Sequence, residues 1–213
     1  GSVQVEGEVG AGEPAGGEVA PGSVAHVSGE ACGSLTVGGA VAVAPDLVVT
    51  NAHVVAGLDE VDVLIAGSAE PVAGTVVSFD ANRDLALVRV VDGSFDAVDF
   101  ASIDEGGQGR LVTVDDEGDV EERPFEVARP INAVGEDIYR NDGADRRALE
   151  VQLEVVPGES GSGLFDRRGS LVGLLFASSR TSSGRSYAVA TDEIEAFIDE
   201  AAADPRPVGP CLR

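Results

Sequence analysis

From residue 23 to residue 190 the chain is a succession of short valine-rich runs, each closed by turn residues. Val24 to Val27, Leu35 to Val43, Leu47 to Thr50, Val61 to Ile65, Val72 to Phe79 and Leu85 to Val91 come first, broken at places such as Pro45-Asp46, Gly67-Ser68 and Asp92-Gly93. β-branched residues at this spacing suit a small antiparallel barrel. A linking stretch, 96–109, leads to a second set: Leu111 to Val114, Pro124 to Ile131, Leu149 to Val156, Leu171 to Phe176 and Ser186 to Ala190. Met and Trp are absent and aromatics make up only 4%, so the core must be built from Val, Ala, Leu and Ile. Near the end the period changes. Asp192 and Glu195 have the spacing of a capping box, and Ile194, Phe197, Ile198 and Ala201 share one helical face. The sequence thus predicts an all-β protein with a C-terminal helix.

Charge narrows the partners. There are 38 acidic residues against 14 basic ones, all Arg, for a net charge of −24. That argues against nucleic acid and against anionic lipid surfaces. No run of about 18 apolar residues is present, so no membrane span is expected. Residues 1–22 are Gly, Glu, Ala, Pro and Val in low-complexity order and read as a flexible acidic linker. Gly1-Ser2 reads as a cloning scar, and with no initiator Met the chain reads as a soluble fragment of a longer protein. No set of His, Cys and carboxylates has ligand spacing, so no metal or cofactor is expected.

The chemistry centres on Val156-Pro157-Gly158-Glu159-Ser160-Gly161-Ser162-Gly163-Leu164-Phe165. A serine between glycines, on a turn between apolar runs, can hold its hydroxyl out as a nucleophile. Successive N–H groups of such a turn can hold a developing oxyanion. The serine needs a base. Only His26 and His53 are available and both precede Ser160, which excludes the α/β-hydrolase order with its histidine last. His53 follows an apolar strand in Thr50-Asn51-Ala52-His53-Val54-Val55. His26 lies on an alternating strand and reads as structural. Asp84 stands at the mouth of the strand Leu85-Ala86-Leu87-Val88 and can orient the imidazole. Asp80 is its competitor for that role, and Ser162 is the rival nucleophile, read as structural.

These three motifs, T-N-A-H-V-V, D-L-A-L-V and G-E-S-G-S in this order, resemble the chymotrypsin-fold serine proteases of bacterial type. Over residues 24–212 the resemblance extends to the extracytoplasmic domains of mycobacterial membrane-anchored acid-resistance proteases. It implies two antiparallel β-barrels of the chymotrypsin type with a C-terminal helix, the first over 23–110 and the second, with helix and tail, over 111–213. It implies a serine endopeptidase acting on proteins or peptides, with His53, Asp84 and Ser160 catalytic and the N–H groups of Gly158 and Ser160 as oxyanion hole. It implies a disulfide between Cys32 and Cys211, and hence an extracytoplasmic compartment of the cell envelope. Glu154 falls where such enzymes carry the floor of the specificity pocket, with Phe176, Ala177, Ser178 and Tyr187 as further lining. The plainer reading of Glu154 is an outward-facing strand residue. In relatives activated by cleavage, the residue before the serine pairs with a freed N-terminus; Glu159, with no I-V-G-G-like start, argues against that route. The competing function is a protease-fold module that grips peptides without cutting; the complete set of three residues disfavours it.

Overall fold

A computed structural model describes residues 17–179 and 182–212. Six strands, β1 (Val24–Ala31), β2 (Ser34–Ala44), β3 (Leu47–Thr50), β4 (Glu60–Ile65), β5 (Val72–Asp80) and β6 (Leu85–Arg89), close a barrel in the order β1-β2-β3-β6-β5-β4. Six more, β7 (Gln108–Val114), β8 (Val120–Glu136), β9 (Asp142–Gln152), β10 (Gly163–Asp166), β11 (Leu171–Ser178) and β12 (Arg185–Ala190), close a second in the order β10-β11-β12-β9-β8-β7. Closure removes the unpaired edges that short valine-rich strands would otherwise expose. Two helices complete the fold: α1 (Ala52–Val55) and α2 (Thr191–Ala203).

Three apolar clusters hold this together. The first barrel is filled from inside by residues such as Val27, Val48, Val63 and Val88, and the second by Leu111, Val151, Leu164 and Leu175. The third cluster lies between them. It joins Val24, Val41, Val49, Leu85 and Leu87 of the first barrel to Val112, Phe165, Leu171, Leu174 and Val189 of the second. Ile194 and Phe197 of α2 close it, with Ile198 and Ala201 packed behind. Each fully buried side chain of this size contributes about 1.5–3 kcal/mol. The sequence-predicted apolar face of the helix is therefore the one that seals the seam between the barrels.

The structure departs from the sequence reading in five places. Gly163–Asp166 form a strand, β10, where the sequence pattern names none. β8 and β9 run on into a long two-stranded arm, pairing from Glu126↔Gln152 out to Glu136↔Asp142. The second barrel begins at Gln108, three residues before the expected boundary. No capping box forms: Ala190 is the N-cap residue and no side chain caps it. Thr191 Oγ1 instead donates to Ala101 O (2.8 Å), Asp192 pairs with Arg147 (2.8 Å), and the helix starts two residues before the capping-box spacing implies. Finally, the expected linker over 1–22 lies outside the described residues up to 16, but 17–22 are docked. Gly17 N–H donates to Arg167 O (2.7 Å), and Pro21–Ser23 form a short 3-10 turn.

After α2 the tail leaves the second barrel and crosses to the first. Gly57 N–H donates to Gly209 O (2.9 Å), Tyr139 Oη donates to Pro210 O (2.8 Å), and Arg206 pairs with Asp80 (3.1 Å). Cys211 is bonded to Cys32, 179 positions away. Cys32 and Gly33, with φ of +51° and +76°, form the two-residue turn between β1 and β2. Positive φ at both central residues matches the right-handed twist of a hairpin. No helix among the described residues is long and apolar enough to cross a membrane.

Candidate active site

β3 ends at Thr50 and the chain turns at once into α1, a single turn that carries His53. The residues before it act as fasteners. Thr50 Oγ1 donates to Gly39 O (2.7 Å) and Asn51 Nδ2 donates to Asp84 O (3.0 Å). Asp84 itself has a φ of +58° and is 3% exposed. Asp is among the few residues that adopt this left-handed backbone at modest cost. The preceding turn makes it possible: Asp80 Oδ1 accepts the N–H groups of Asn82 (2.9 Å) and Arg83 (3.0 Å). Asp80 faces Arg83 and Arg206, both at 3.1 Å, and not the imidazole.

Asp84 faces His53 through both carboxylate oxygens. Oδ1 accepts the His53 backbone N–H (2.9 Å) and Oδ2 lies 2.7 Å from Nδ1. This fixes ring orientation and leaves Nε2 as the free nitrogen. Burial pushes the His53 pKa down, but the Asp84 charge and hydrogen bond outweigh it, and the net shift is upward from 6.5. The Arg146 guanidinium opposes that rise. Arg146 lies 4.6 Å over the Phe176 ring and donates to Asn82 O (2.6 Å), which places a cation at the cleft. His26 lies elsewhere, 9% exposed, with Nδ1 3.2 Å from Val114 O.

Ser160 comes from the loop between β9 and β10 and meets the first barrel through glycines. Gly39 N–H donates to Ser160 O (2.7 Å). A Cβ on Gly38 would stand 2.6 Å from Ser160 O and 2.7 Å from a Val54 methyl, one residue beyond His53. Only glycine lets the Ser160 loop approach α1 this closely. Gly158 has a φ of +97°, again a glycine conformation. Neither the Gly158 nor the Ser160 N–H is taken by a backbone acceptor among the described residues. No hydrogen bond joins Ser160 Oγ to His53 in this state; such contacts are often loose before substrate arrives. Ser162 is 3% exposed and faces Gly39, with its N–H donating to Glu159 O (3.1 Å) and its carbonyl accepting Leu175 N–H (2.9 Å).

A cavity of about 270 Å³ opens beside Ser160, lined by Val155, Val156, Pro157, Leu175, Phe176, Ala177 and Ser178. Glu154 is exposed and lies outside this lining, as an outward-facing strand residue does. Its carboxylate therefore does not form an acidic floor there that would select basic side chains. Tyr187 stands behind Phe176, ring centroids 6.5 Å apart. Glu159 is buried and pairs with Arg123, a residue that no local pattern in the sequence singles out. The described residues also gather Asp115, Asp116 and Glu117 on the exposed β7–β8 turn. Asp115 Oδ1 there accepts the N–H groups of Glu117 (3.0 Å) and Asp119 (2.8 Å), as a turn carboxylate does.

Two closed barrels, with a carboxylate-held histidine in one and a glycine-flanked serine in the other, define a serine protease of the chymotrypsin fold. The chain belongs to the trypsin-like peptidase domain family, whose model matches residues 38–174. It is 28% identical over 181 residues to serine protease Rv3671c of Mycobacterium tuberculosis, covering 84% of this chain and 45% of that protein. The chain thus spans just under half the length of this curated relative. The active form of the Rv3671c protease superposes with a TM-score of 0.81 at 26% identity, covering 91% of this chain and 87% of that one. Its inactive form gives 0.72 at 25% identity, covering 84% and 89%.

Proposed function

We propose that this domain is the extracytoplasmic catalytic part of a longer, membrane-anchored envelope protease that cuts protein or peptide substrates. Ser160 Oγ attacks the scissile carbonyl. His53 Nε2 takes its proton and later gives it to the leaving amine, while Asp84 holds the ring and stabilises the imidazolium. The N–H groups of Gly158 and Ser160 receive the oxyanion. The lining of the cavity beside Ser160 suits an apolar side chain on the acyl side of the scissile bond. The observation that carries this reading is the two-point grip of Asp84 on His53, beside a serine turn seated on Gly38 and Gly39. The extracytoplasmic placement is supported by the Cys32–Cys211 bond, which persists in oxidising compartments.

The test is covalent. A serine-directed fluorophosphonate is expected to label Ser160, and Ser160→Ala is expected to lose both label and turnover, by about 10⁶-fold in kcat. Labelling at Ser162, or turnover that survives Ser160→Ala, would overturn the assignment.

A further inference from the structure

We propose that Arg123 is a positioning residue for the turn that receives the oxyanion, a role that rests on the reading of Ser160 as nucleophile. Arg123 lies on β8, 36 positions before Glu159, and its side chain is about a quarter exposed. Its guanidinium reaches two places at once. One nitrogen pairs with Glu159 Oε1, and the other donates to Glu154 O at 2.7 Å. The second carboxylate oxygen of Glu159 accepts Val156 N–H (2.8 Å), and the Glu159 N–H donates back to Val156 O (3.3 Å). Both ends of the segment 154–159 are therefore pinned by one planar fork.

What lies inside that segment gives the fork its function. Pro157 and Gly158 make the bend, and Glu159 sits between the two residues whose N–H groups face the oxyanion. The Glu159 side chain is only 9% exposed in a chain that carries 38 acidic residues against 14 arginines. A carboxylate buried against such a field is held in place by its cation; left unpaired, it moves to water. When the Glu159 carboxylate leaves, the Val156 N–H loses its acceptor and the bend at 157–158 loses its side-chain tie. The Gly158 and Ser160 N–H groups would then leave the spot they share. Arg123 touches neither substrate nor the reacting atoms, and acts by keeping the turn in the donating conformation.

The experiment compares the wild type with Arg123→Gln by peptide turnover, by fluorophosphonate labelling and by the affinity of a peptide boronate that closes on the serine as a tetrahedral adduct. The expected result is a loss of about 100-fold in kcat, the scale of one lost oxyanion donor. Boronate affinity should fall in parallel and KM should change far less. Added guanidinium ion at a non-denaturing concentration should restore part of the rate, which a purely structural role would not allow. If the single variant does not fold, the double variant Arg123→Gln/Glu159→Gln leaves no lone buried charge and decides the matter, with kcat still expected to be well below wild type. Wild-type kcat and boronate affinity in a folded single or double variant would overturn the proposal. A wild type that is not labelled at Ser160 would instead overturn the nucleophile assignment beneath it.

Discussion

His53 and Asp84 are joined by two direct bonds, 2.9 and 2.7 Å, between residues that both border the first barrel's core. Ser160, by contrast, sits in a turn whose side-chain anchor is Glu159, held in turn by an arginine on a strand of the second barrel. His53 is fixed by contact with its own partner. Ser160 and the N–H groups beside it are fixed by backbone geometry at one remove. A site built this way can lose its oxyanion geometry while its histidine and aspartate stay in place. The relative Rv3671c has been solved in both an active and an inactive form, and this chain superposes better on the active one.

The comparison can be broken most forcefully on the base side. Asp84→Asn keeps the shape and one acceptor but places an amide nitrogen against a ring or backbone donor. Turnover is expected to fall by about 10⁴-fold, as when the orienting carboxylate of such a triad is lost. Steady-state kinetics across pH would check it, and an unchanged kcat would mean the carboxylate does not hold the base. The next largest effect concerns stability. Replacing Cys32 and Cys211 by Ser opens a loop of 179 positions, and denaturant unfolding should report a loss of up to about 5 kcal/mol. A Cβ on Gly57 would stand 2.4 Å from Cys211 Sγ, so the bond presses on the loop just beyond α1. Hydrogen exchange should therefore rise around 52–58 before it rises around 156–162. The reverse order would place the strap on the nucleophile side instead.

The smallest effect is the most specific to charge. In the proposed mechanism His53 works as neutral imidazole, and its pKa is shifted upward from 6.5 because Asp84 outweighs the downward push of burial. The acid limb of kcat/KM is therefore expected above that value. Arg146 holds the pKa down from where Asp84 alone would set it. Arg146→Ala should move the limb to higher pH with little change on the plateau. A limb that stays still or moves to lower pH would show that Arg146 does not act on His53.

Much of this was legible in the sequence, for physical reasons that can be traced. The strands of the first barrel are short, β-branched and bounded by turn residues, so their pattern is local. His53 follows one strand, Asp84 precedes another and Ser160 lies in a glycine-rich turn, each with a chemical reason to be there. What was missed is non-local or disguised. β10 is only four residues long and begins inside the glycine-rich motif, at Gly163. In the outer part of the β8–β9 arm Val134, Gly135 and Glu136 are exposed and Ala144 opposite them is buried, so backbone pairing defines it and hydrophobic alternation does not. Asp192 looked like a cap because its spacing to Glu195 was right, yet Arg147 claims its carboxylate. Arg123 finds Glu159 across the barrel wall, a pairing with no signature along the chain.

The strap between the ends also has a meaning in time. Cys32 is made early, in the first hairpin, and Cys211 comes 179 positions later, beyond α2. In the folded molecule the two sulfurs are held together by everything between them: the closed second barrel, α2 on the seam, and the tail that crosses to Gly57. With no third thiol in the chain to exchange with, Cys211 is the one partner Cys32 has. The bond thus ties a residue made early to one made last, and both barrels lie inside the loop it closes.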